Sequence, residues 1–234
     1  MNARVTRLRQ ATLDTKPWLS IERAALLTEF CRQDKTVPVP LRRARAFLYL
    51  MEHKEVYIGA EELIVGERGS APKATPTFPE LCCHSVEDFK TLNSREKVGY
   101  SVDDNALRVQ EKEVIPYWHD RSMRDLIFAE MTPEWKNAYE AGVFTEFMEQ
   151  RAPGHTVLGD IIYRKGLLDV KADIEAALAR LDFFNDSEAS VKKDELRAMA
   201  ISADAVMRFA ERHAEKAEAL ARTETNPVRQ AELR

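Results

Sequence analysis

The part of the chain that most constrains its fold is a long amphipathic stretch, roughly Ala189–Thr223. Its apolar residues recur at spacings of three and four, which places them on one face of a helix. Several of these residues are alanine, so we expect this helix to pack closely against its neighbours. A chain organised around such a helix is expected to be mainly α. The apolar stripe consists of Leu196, Met199, Ala203, Met207, Ala210, Ala214 and Ala217.

Capping residues, prolines and glycines divide the rest of the chain into further helices. Ser20 can cap a helix over Ile21–Gln33, and Pro40 suits the first turn of a helix over Leu41–His53. Further helices are expected to start at Ser85, at Ser101 with Asp103 and Asp104, and at Thr132-Pro133-Glu134. We expect a kink near Pro116 and a helix end at Gly142. A helix over Leu167–Phe184 follows Gly166, and Asn226-Pro227 interrupts the helical pattern near residue 226.

A few short strands are expected between the second and third of these helices. The β-branched runs Val56-Tyr57-Ile58 and Leu63-Ile64-Val65 are separated by a turn, which is typical of brief strands. The segment from Gly66 to Pro79 is rich in glycine and proline, so we expect an irregular loop that covers or serves a site. No internal boundary is indicated, and residues 1–234 are interpreted as one domain.

The balance of charge argues against nucleic acid or a membrane as a partner. The chain has 35 basic and 39 acidic residues, for a net charge of -4, so it offers no excess of positive charge to a polyanion. Its apolar runs are shorter than the ~20 residues that span a bilayer. Cys31, Cys82 and Cys83 are an odd number with one adjacent pair, which does not indicate a disulfide framework. A reducing cytoplasm is therefore the expected compartment.

The stretch Phe144–Thr156 carries the candidate functional residues. It combines aromatic, acidic and basic side chains with a histidine, and Pro153-Gly154 breaks any regular structure. The imidazole of His155 can donate or accept a proton near neutral pH, which suits contact with a hydroxyl that leaves as water. From the residues alone, His155 also fits a side chain that caps the backbone after Pro-Gly, and Phe147 also fits a core aromatic.

The sequence Cys82-Cys83-His84 suggests a metal site, but the spacing is wrong for one. Structural zinc sites usually separate paired ligands by two to four residues, and adjacent cysteines direct their side chains differently. We therefore expect no metal site in the chain. A nucleophilic cysteine is also disfavoured, because His84 is poorly placed to act as its base.

Several stretches together resemble the N-terminal third of the glycyl radical enzymes, the pyruvate formate-lyase-like family. Glu62-Leu-Ile-Val-Gly66 resembles the family's short strand, and Gly154-His155-Thr156 is shared with members acting on diols, glycerol and choline. The run Phe144-Thr-Glu-Phe-Met-Glu-Gln-Arg151 most resembles the family's dehydratases of trans-4-hydroxyproline. The other matching stretches are Ser20–Ala24, Leu41–Ala44, Pro79–His84 and Met131–Trp135.

The resemblance implies a fold, a chemistry and two site residues. The fold is a ten-stranded α/β barrel wrapped by helices, and this chain would supply a helical N-terminal part. A partner, the activating enzyme, uses S-adenosylmethionine and an iron–sulfur cluster to place a radical on a glycine, so no cofactor is expected within this chain itself. A cysteine thiyl radical then abstracts hydrogen from a hydroxylated small molecule. His155 would contact the departing hydroxyl, and Phe147 would line the pocket against the pyrrolidine ring.

Two stretches on which the family's radical chemistry depends do not occur in the 234 residues. They are Gly-Cys-Val-Glu, which supplies the thiyl cysteine, and the glycyl loop Arg-Val-Ala-Gly-Tyr. Because Val228–Arg234 also begins a helix, we expect the chain to be the front portion of a longer dehydratase, with a homodimer as is common in the family. The alternatives are another glycyl radical lyase, acting on a diol, glycerol, choline or as a formate acetyltransferase, and a non-catalytic helical remnant.

Overall fold

A computed structural model describes residues 2–35, 38–144 and 158–234. Over these ranges the chain is mainly helical with two short strands, as predicted. Its contacts form two compact units. Unit 1 comprises Met1–Thr15, Glu29–Ala74 and Leu158–Arg234, and unit 2 comprises Lys16–Thr28 and Thr75–Val157. Within the described ranges, no helix combines the length and apolar character needed to cross a membrane.

Helices dominate the order of elements in the described residues, with two short strands among them. The strands are β1 (Trp18–Ser20) and β2 (Ala74–Pro76), which pair as a two-stranded sheet. The α-helices are α1 (Ala3–Asp14), α2 (Glu22–Gln33), α3 (Val39–His53), α4 (Val86–Ser94), α5 (Asp104–Val109), α6 (Ile115–Trp118), α7 (Met123–Glu130), α8 (Pro133–Glu140), α9 (Leu167–Ala179), α10 (Ala189–Thr223) and α11 (Pro227–Leu233). A π-helix, Gln110–Val114, joins α5 to α6, and a 3-10 helix, Gly159–Tyr163, precedes α9.

Unit 1 is organised around α10, and the predicted bounds of this helix are confirmed. The predicted stripe is mostly wrong as a packing face, since only Ala203 of it is buried while Met199, Ala210 and Ala214 are exposed. Helix α10 packs against α3, α9 and α11. Small side chains lie at these contacts, and they allow the helix backbones to approach one another closely. The buried residues of α10 are Ala189, Ala198, Ala203, Ala205 and Ala221, while α3 contributes Ala44, Ala46 and Leu50 and α9 contributes Ile174.

The strands predicted at Val56–Ile58 and Leu63–Val65 are wrong, since neither run forms a strand. Ile64 is 89% exposed and Leu63 is 64% exposed. A strand in a small sheet needs a ladder partner and a buried face to offset the loss of backbone freedom. In the described residues neither run has a ladder partner: Val56–Ile58 is half-buried, and Leu63–Val65 has its side chains in solvent, so composition alone was misleading.

The backbone beside this run is fixed by an arginine rather than by a ladder. The guanidinium of Arg229 in α11 donates to the carbonyl of Gly59 at 2.9 Å and to the carbonyl of Glu62 at 2.7 Å. It also pairs with Glu232 at 3.1 Å. Arg229 is buried, and its bonds give its own guanidinium partners out of water while they hold the Gly59–Glu62 turn, in which the N–H of Glu62 also donates to the carbonyl of Gly59 at 3.3 Å. The last helix of unit 1 therefore fixes the shape of this loop.

The helix starts in unit 2 follow the predicted caps with two shifts. Ser20 is not the N-cap of α2, because it lies in β1 and the helix begins at Glu22. Ser85 and Asp88 form a reciprocal capping box at α4, and the hydroxyl of Thr132 accepts from the backbone N–H of Trp135 at α8. Asp103, not Ser101, is the N-cap of α5. The reason is that the backbone of Ser101 is bonded beside β1, where its carbonyl accepts from the N–H of Leu19 at 2.9 Å.

The kink expected near Pro116 occurs as the π-helix that precedes it. Pro116 has no N–H to donate to the preceding turn, and a π-turn absorbs that gap. Gln110 begins the π-helix and is buried, and its side-chain Nε2 donates to the carbonyl of His84 at 2.6 Å. The first residue of the π-helix therefore fixes the backbone at His84, the last residue of the Cys82-Cys83-His84 segment.

Helix α9 is shorter than predicted, ending at Ala179 instead of Phe184. The carboxylate of Asp182 accepts from the backbone N–H groups of Phe184 and Asn185 at 3.0 and 3.1 Å. Such a local bond competes with continuation of the helix. Phe184, the predicted last residue of this helix, is fully exposed.

Candidate functional site

The two site residues expected from the sequence, Phe147 and His155, lie outside the described residues. The same is true of the Pro153-Gly154 break. The described chain reaches Phe144, the first residue of the candidate stretch. The elements of unit 2 that lead into Phe144 determine where the candidate stretch begins.

Helix α8 ends in a turn that reverses the chain just before the candidate stretch. The N–H of Gly142 donates to the carbonyl of Tyr139, and the N–H of Val143 donates to the carbonyl of Ala138, each at 2.9 Å. This pair of bonds is a Schellman motif. Gly142 adopts φ +73°, a conformation that an L side chain rarely takes. The stop predicted at Gly142 is thus confirmed.

After this turn the ring of Phe144 packs back onto α8. It meets the ring of Trp135 with centroids 5.1 Å apart and planes at 74°, and the ring of Tyr139 at 5.9 Å and 60°. Trp135 and Tyr139 are four residues apart, so they share one face of the helix. Edge-to-face pairs of this kind contribute about 0.5–1.5 kcal/mol each beyond the area they bury. The ring of Phe144 is therefore held by two aromatic rings of α8.

Helix α7 extends this contact. The ring of Phe128 lies 4.8 Å from the ring of Tyr139 at an angle of 88°. The guanidinium of Arg124 lies over both rings, 4.3 Å from the centroid of Phe128 and 5.9 Å from that of Tyr139. Its Nη2 also donates to the Tyr139 hydroxyl at 3.2 Å. We call these five residues the aromatic cluster: Arg124, Phe128, Trp135, Tyr139 and Phe144.

The aromatic cluster is tied to the Pro79–His84 segment through the backbone of Arg124. The N–H of Arg124 donates to the carbonyl of Leu81 at 3.0 Å. The neighbouring Glu80 is held in turn by a two-pronged ion pair with Arg23, with N–O distances of 2.5 and 3.1 Å. Three stretches that carry the family resemblance therefore meet in one contact network: Pro79–His84, Met131–Trp135 and the run that begins at Phe144.

Cys83, which belongs to the Pro79–His84 segment, has the wrong electrostatics for a nucleophile. Burial raises the pKa of the Cys83 thiol to about 11, and the carboxylate of Asp125 and the neighbouring Cys82 act in the same direction. A thiolate is the form that attacks or binds a metal, so the raised pKa disfavours both roles. Within the described ranges, no group of three or more histidine, cysteine or acidic side chains is arranged to hold a metal ion.

The aromatic cluster was not predicted from the sequence, although part of its signal was present. Arg124 and Phe128 are separated by four residues, as are Trp135 and Tyr139, and that spacing indicates a shared helix face. The missing information was the turn at Gly142, which brings a third ring onto the same face.

Comparison with known proteins identifies the family. The family model described as pyruvate formate lyase-like matches residues 1–234, so the chain belongs to the pyruvate formate lyase-like family. It is 48% identical over 231 residues to the trans-4-hydroxy-L-proline dehydratase of Clostridioides difficile, covering 98% of this chain and 29% of that protein. The crystal structure of that dehydratase with its substrate bound matches with a TM-score of 0.93 at 47% identity, covering 100% of this chain and 30% of the other.

Two further solved structures show how widely the fold is shared. The B12-independent glycerol dehydratase of Clostridium butyricum matches with a TM-score of 0.90 at 27% identity, over 100% of this chain and 30% of that one. A glycyl radical enzyme of Archaeoglobus fulgidus matches with a TM-score of 0.85 at 26% identity, over 98% and 30% of the two chains. The assignment to the glycyl radical enzymes made from the sequence is thereby confirmed. The chain spans less than a third of the length of these relatives.

Proposed function

We propose that the chain forms part of a glycyl radical dehydratase that eliminates water from trans-4-hydroxy-L-proline and yields a pyrroline-5-carboxylate. The observation that carries the proposal is the 48% identity to the hydroxyproline dehydratase over 98% of this chain. The glycerol dehydratase shares the fold at only 27% identity. The run Phe144–Arg151 is the part of the sequence that favours hydroxyproline over other substrates of the family.

In this proposal the chain contributes binding and proton donation. His155 hydrogen-bonds the hydroxyl that leaves, and it supplies the proton that converts a poor leaving group into water. Phe147 forms an apolar wall against the pyrrolidine ring, which excludes water and orients the carbon that bears the hydroxyl. Both roles rest on the match of sequence in the Phe144–Thr156 stretch.

In this proposal neither His155 nor Phe147 carries the radical. Cys31 is buried, and Cys83 is a half-buried thiol whose raised pKa favours the neutral form. Neither lies in the Gly-Cys-Val-Glu sequence in which the family places its thiyl cysteine, and Cys82 does not either. We therefore assign the thiyl cysteine and the radical glycine to polypeptide outside the 234 residues. The radical would be installed by an activating enzyme that uses S-adenosylmethionine and an iron–sulfur cluster, in a cytoplasmic enzyme that forms a homodimer.

A hybrid enzyme tests the substrate directly. In this hybrid, residues 1–234 replace the matching part of the Clostridioides difficile dehydratase, and the protein is activated without oxygen by that dehydratase's activating enzyme. Radical content is measured by electron paramagnetic resonance, and pyrroline-5-carboxylate formation is measured with hydroxyproline as substrate. Turnover of hydroxyproline in preference to glycerol is expected. A normal radical signal with turnover of glycerol or a diol, but not hydroxyproline, would identify the second candidate function.

The proton-donor role is tested by His155→Ala in the hybrid enzyme. Loss of a positioned acid should lower kcat by about 10²–10⁴-fold without changing the radical content. The matched control is His119→Ala, because His119 is an exposed histidine of unit 2 beside Asp120. That control should keep its turnover. If His155→Ala also kept its turnover, the assigned role of His155 would be wrong.

A further inference from the structure

We propose that unit 2 contains a binding site for a small uncharged aromatic molecule that bears one hydroxyl group. The site is a cavity of about 310 Å³ that is lined by β2, the loop that follows it and α4. This volume lies at the lower end of the range that small-molecule sites occupy. The inference does not depend on the proposed substrate, because it rests on the lining of this cavity alone.

The lining of the cavity favours a ligand without charge. Among the described residues that form it there is no aspartate, glutamate, lysine or arginine, while Phe78, Phe89 and Tyr100 supply aromatic rings. His84 also lines the cavity, but its Nδ1 already faces the carboxylate of Asp88 at 3.8 Å. Moving an ion from water into such surroundings is costly when no partner is present. An uncharged ring therefore suits these walls better than an ion does.

Thr77 supplies the polar contact for the ligand. Thr77 lines the cavity, and its hydroxyl oxygen is buried without a hydrogen-bond partner in the described part of the chain. Buried polar groups are nearly always paired, so an unpaired one requires an explanation. Rotation about the Cα–Cβ bond exchanges the hydroxyl and methyl groups of a threonine with little change in shape. A ligand hydroxyl within the cavity can therefore complete the hydrogen bond that the protein alone does not make.

Contacts within unit 2 hold the walls of the cavity in place. The guanidinium of Arg23 lies 4.0 Å from the ring centroid of Phe78 and is itself paired with Glu80. At α4, the carbonyl of Leu92 accepts from the N–H of Tyr100 at 2.9 Å. A ligand that enters a preformed cavity orders few protein groups, so little of its binding free energy is lost.

The test measures binding of 4-fluorophenol to the unactivated hybrid enzyme by fluorine NMR. Binding in the millimolar range or tighter is expected for so small a ligand. Thr77→Val replaces the hydroxyl with a methyl group and should weaken binding of 4-fluorophenol by about three- to tenfold. Fluorobenzene has no hydroxyl, so the same variant should leave its Kd within about twofold. Leu92→Trp fills the cavity from α4 and should abolish binding of both compounds.

Thermal unfolding of the same samples separates a ligand contact from a structural role of Thr77. Thr77→Val removes an unpaired hydroxyl, so the unfolding temperature without ligand should be unchanged or raised. The matched control is Thr28→Val, which removes a buried hydroxyl that accepts from Nε1 of Trp118 at 2.9 Å and donates to the carbonyl of Ala24 at 2.6 Å. This control should lower the unfolding temperature and leave the Kd for 4-fluorophenol within about twofold.

The proposed site is overturned if the hybrid enzyme does not bind 4-fluorophenol, because the cavity is then closed in the longer protein. Equal affinities in the parent and in Leu92→Trp would place the binding elsewhere. Displacement of 4-fluorophenol by hydroxyproline would assign the binding to the substrate pocket instead of this cavity. Failure of the hybrid to turn over hydroxyproline would count against the proposed function alone, since the binding measurement needs no radical.

Discussion

Cys83 shows how its surroundings decide what a reactive residue type can do. Burial raises the pKa of its thiol to about 11 from an ordinary value of 9.0, assisted by the charge of Asp125. Folding therefore favours the neutral thiol over the thiolate. The contribution to stability is present in full below pH 9.0 and is lost as the pH rises toward about 11. Alkaline conditions should loosen the segment that contains the cysteine pair.

The raised pKa can be measured in a variant that keeps Cys83 as its sole cysteine, Cys31→Ser with Cys82→Ser. Iodoacetamide reacts with the thiolate, so the alkylation rate follows ionisation. In the folded chain the rate should rise with a midpoint near pH 11, as the raised pKa requires. The same chain in urea provides the control, with a midpoint near 9.0. Coincident midpoints in the two states would show that folding does not shift the thiol.

At the scale of the elements, the turn that ends α8 depends on one glycine. Gly142 at φ +73° has nothing within 4 Å of where a Cβ would lie, so an added methyl group costs backbone strain alone. Gly142→Ala should lower the free energy of unfolding by about 1–2 kcal/mol. The measurement is urea denaturation of the 234-residue chain.

Gly66→Ala is the matched control for that measurement. A Cβ at Gly66 also meets nothing within 4 Å, and its backbone is not in the left-handed region. Alanine there should be neutral or raise the free energy of unfolding by up to about 1 kcal/mol, because it restricts the unfolded chain. Equal effects at the two glycines would contradict the strain argument.

The elements that could be predicted from sequence are those fixed by local signals. The capping box at Ser85 and the cap at Thr132 involve residues within one turn, and the spacing of apolar residues predicts that α10 is a helix but not which of its residues are buried. Strand β1 was missed because its partner, β2, lies far along the chain. The strands expected at Val56–Ile58 and Leu63–Val65 failed for the same reason, since no composition reveals whether a partner exists.

The candidate site was predictable to a smaller extent. The helix-face spacing of Trp135 and Tyr139 is visible in the sequence, but the contact with Phe144 depends on how a turn directs the chain. Phe147 and His155 stay predictions, because their assignment rests on the family resemblance and on the match to hydroxyproline dehydratase. This chain spans 29% of the length of that dehydratase.

At the scale of the whole molecule, Arg229 joins parts of unit 1 that are far apart in sequence. It bonds Gly59, which lies 170 residues earlier, and Glu62, and its guanidinium is buried. Arg229→Ala would remove the arginine donor from the carbonyl of Glu62 and one of the two donors to the carbonyl of Gly59, which also accepts from the N–H of Glu62, at a cost of about 1–3 kcal/mol in the free energy of unfolding. Denaturation of the chain in urea measures this loss.

Arg208→Ala is the control for Arg229→Ala. Arg208 also forms ion pairs, with Glu211 and Glu215, but these are solvent-exposed. Its loss should change the free energy of unfolding by less than about 0.5 kcal/mol. If the two arginine variants unfold at the same urea concentration, the bonds to Gly59 and Glu62 do not hold unit 1 together.

The arrangement of unit 1 also sets an order of events during synthesis. Unit 2 has all its residues once Val157 has been added, whereas unit 1 needs Arg229 to complete its contact with Gly59. A ribosome takes about 4 to 14 s to add the intervening stretch of about 70 residues, at ~5–20 residues per second. For most of that interval, helix α3 has been made but its main partner, α10, is incomplete. The nascent chain therefore carries an apolar helix face that a chaperone can recognise before α10 covers it.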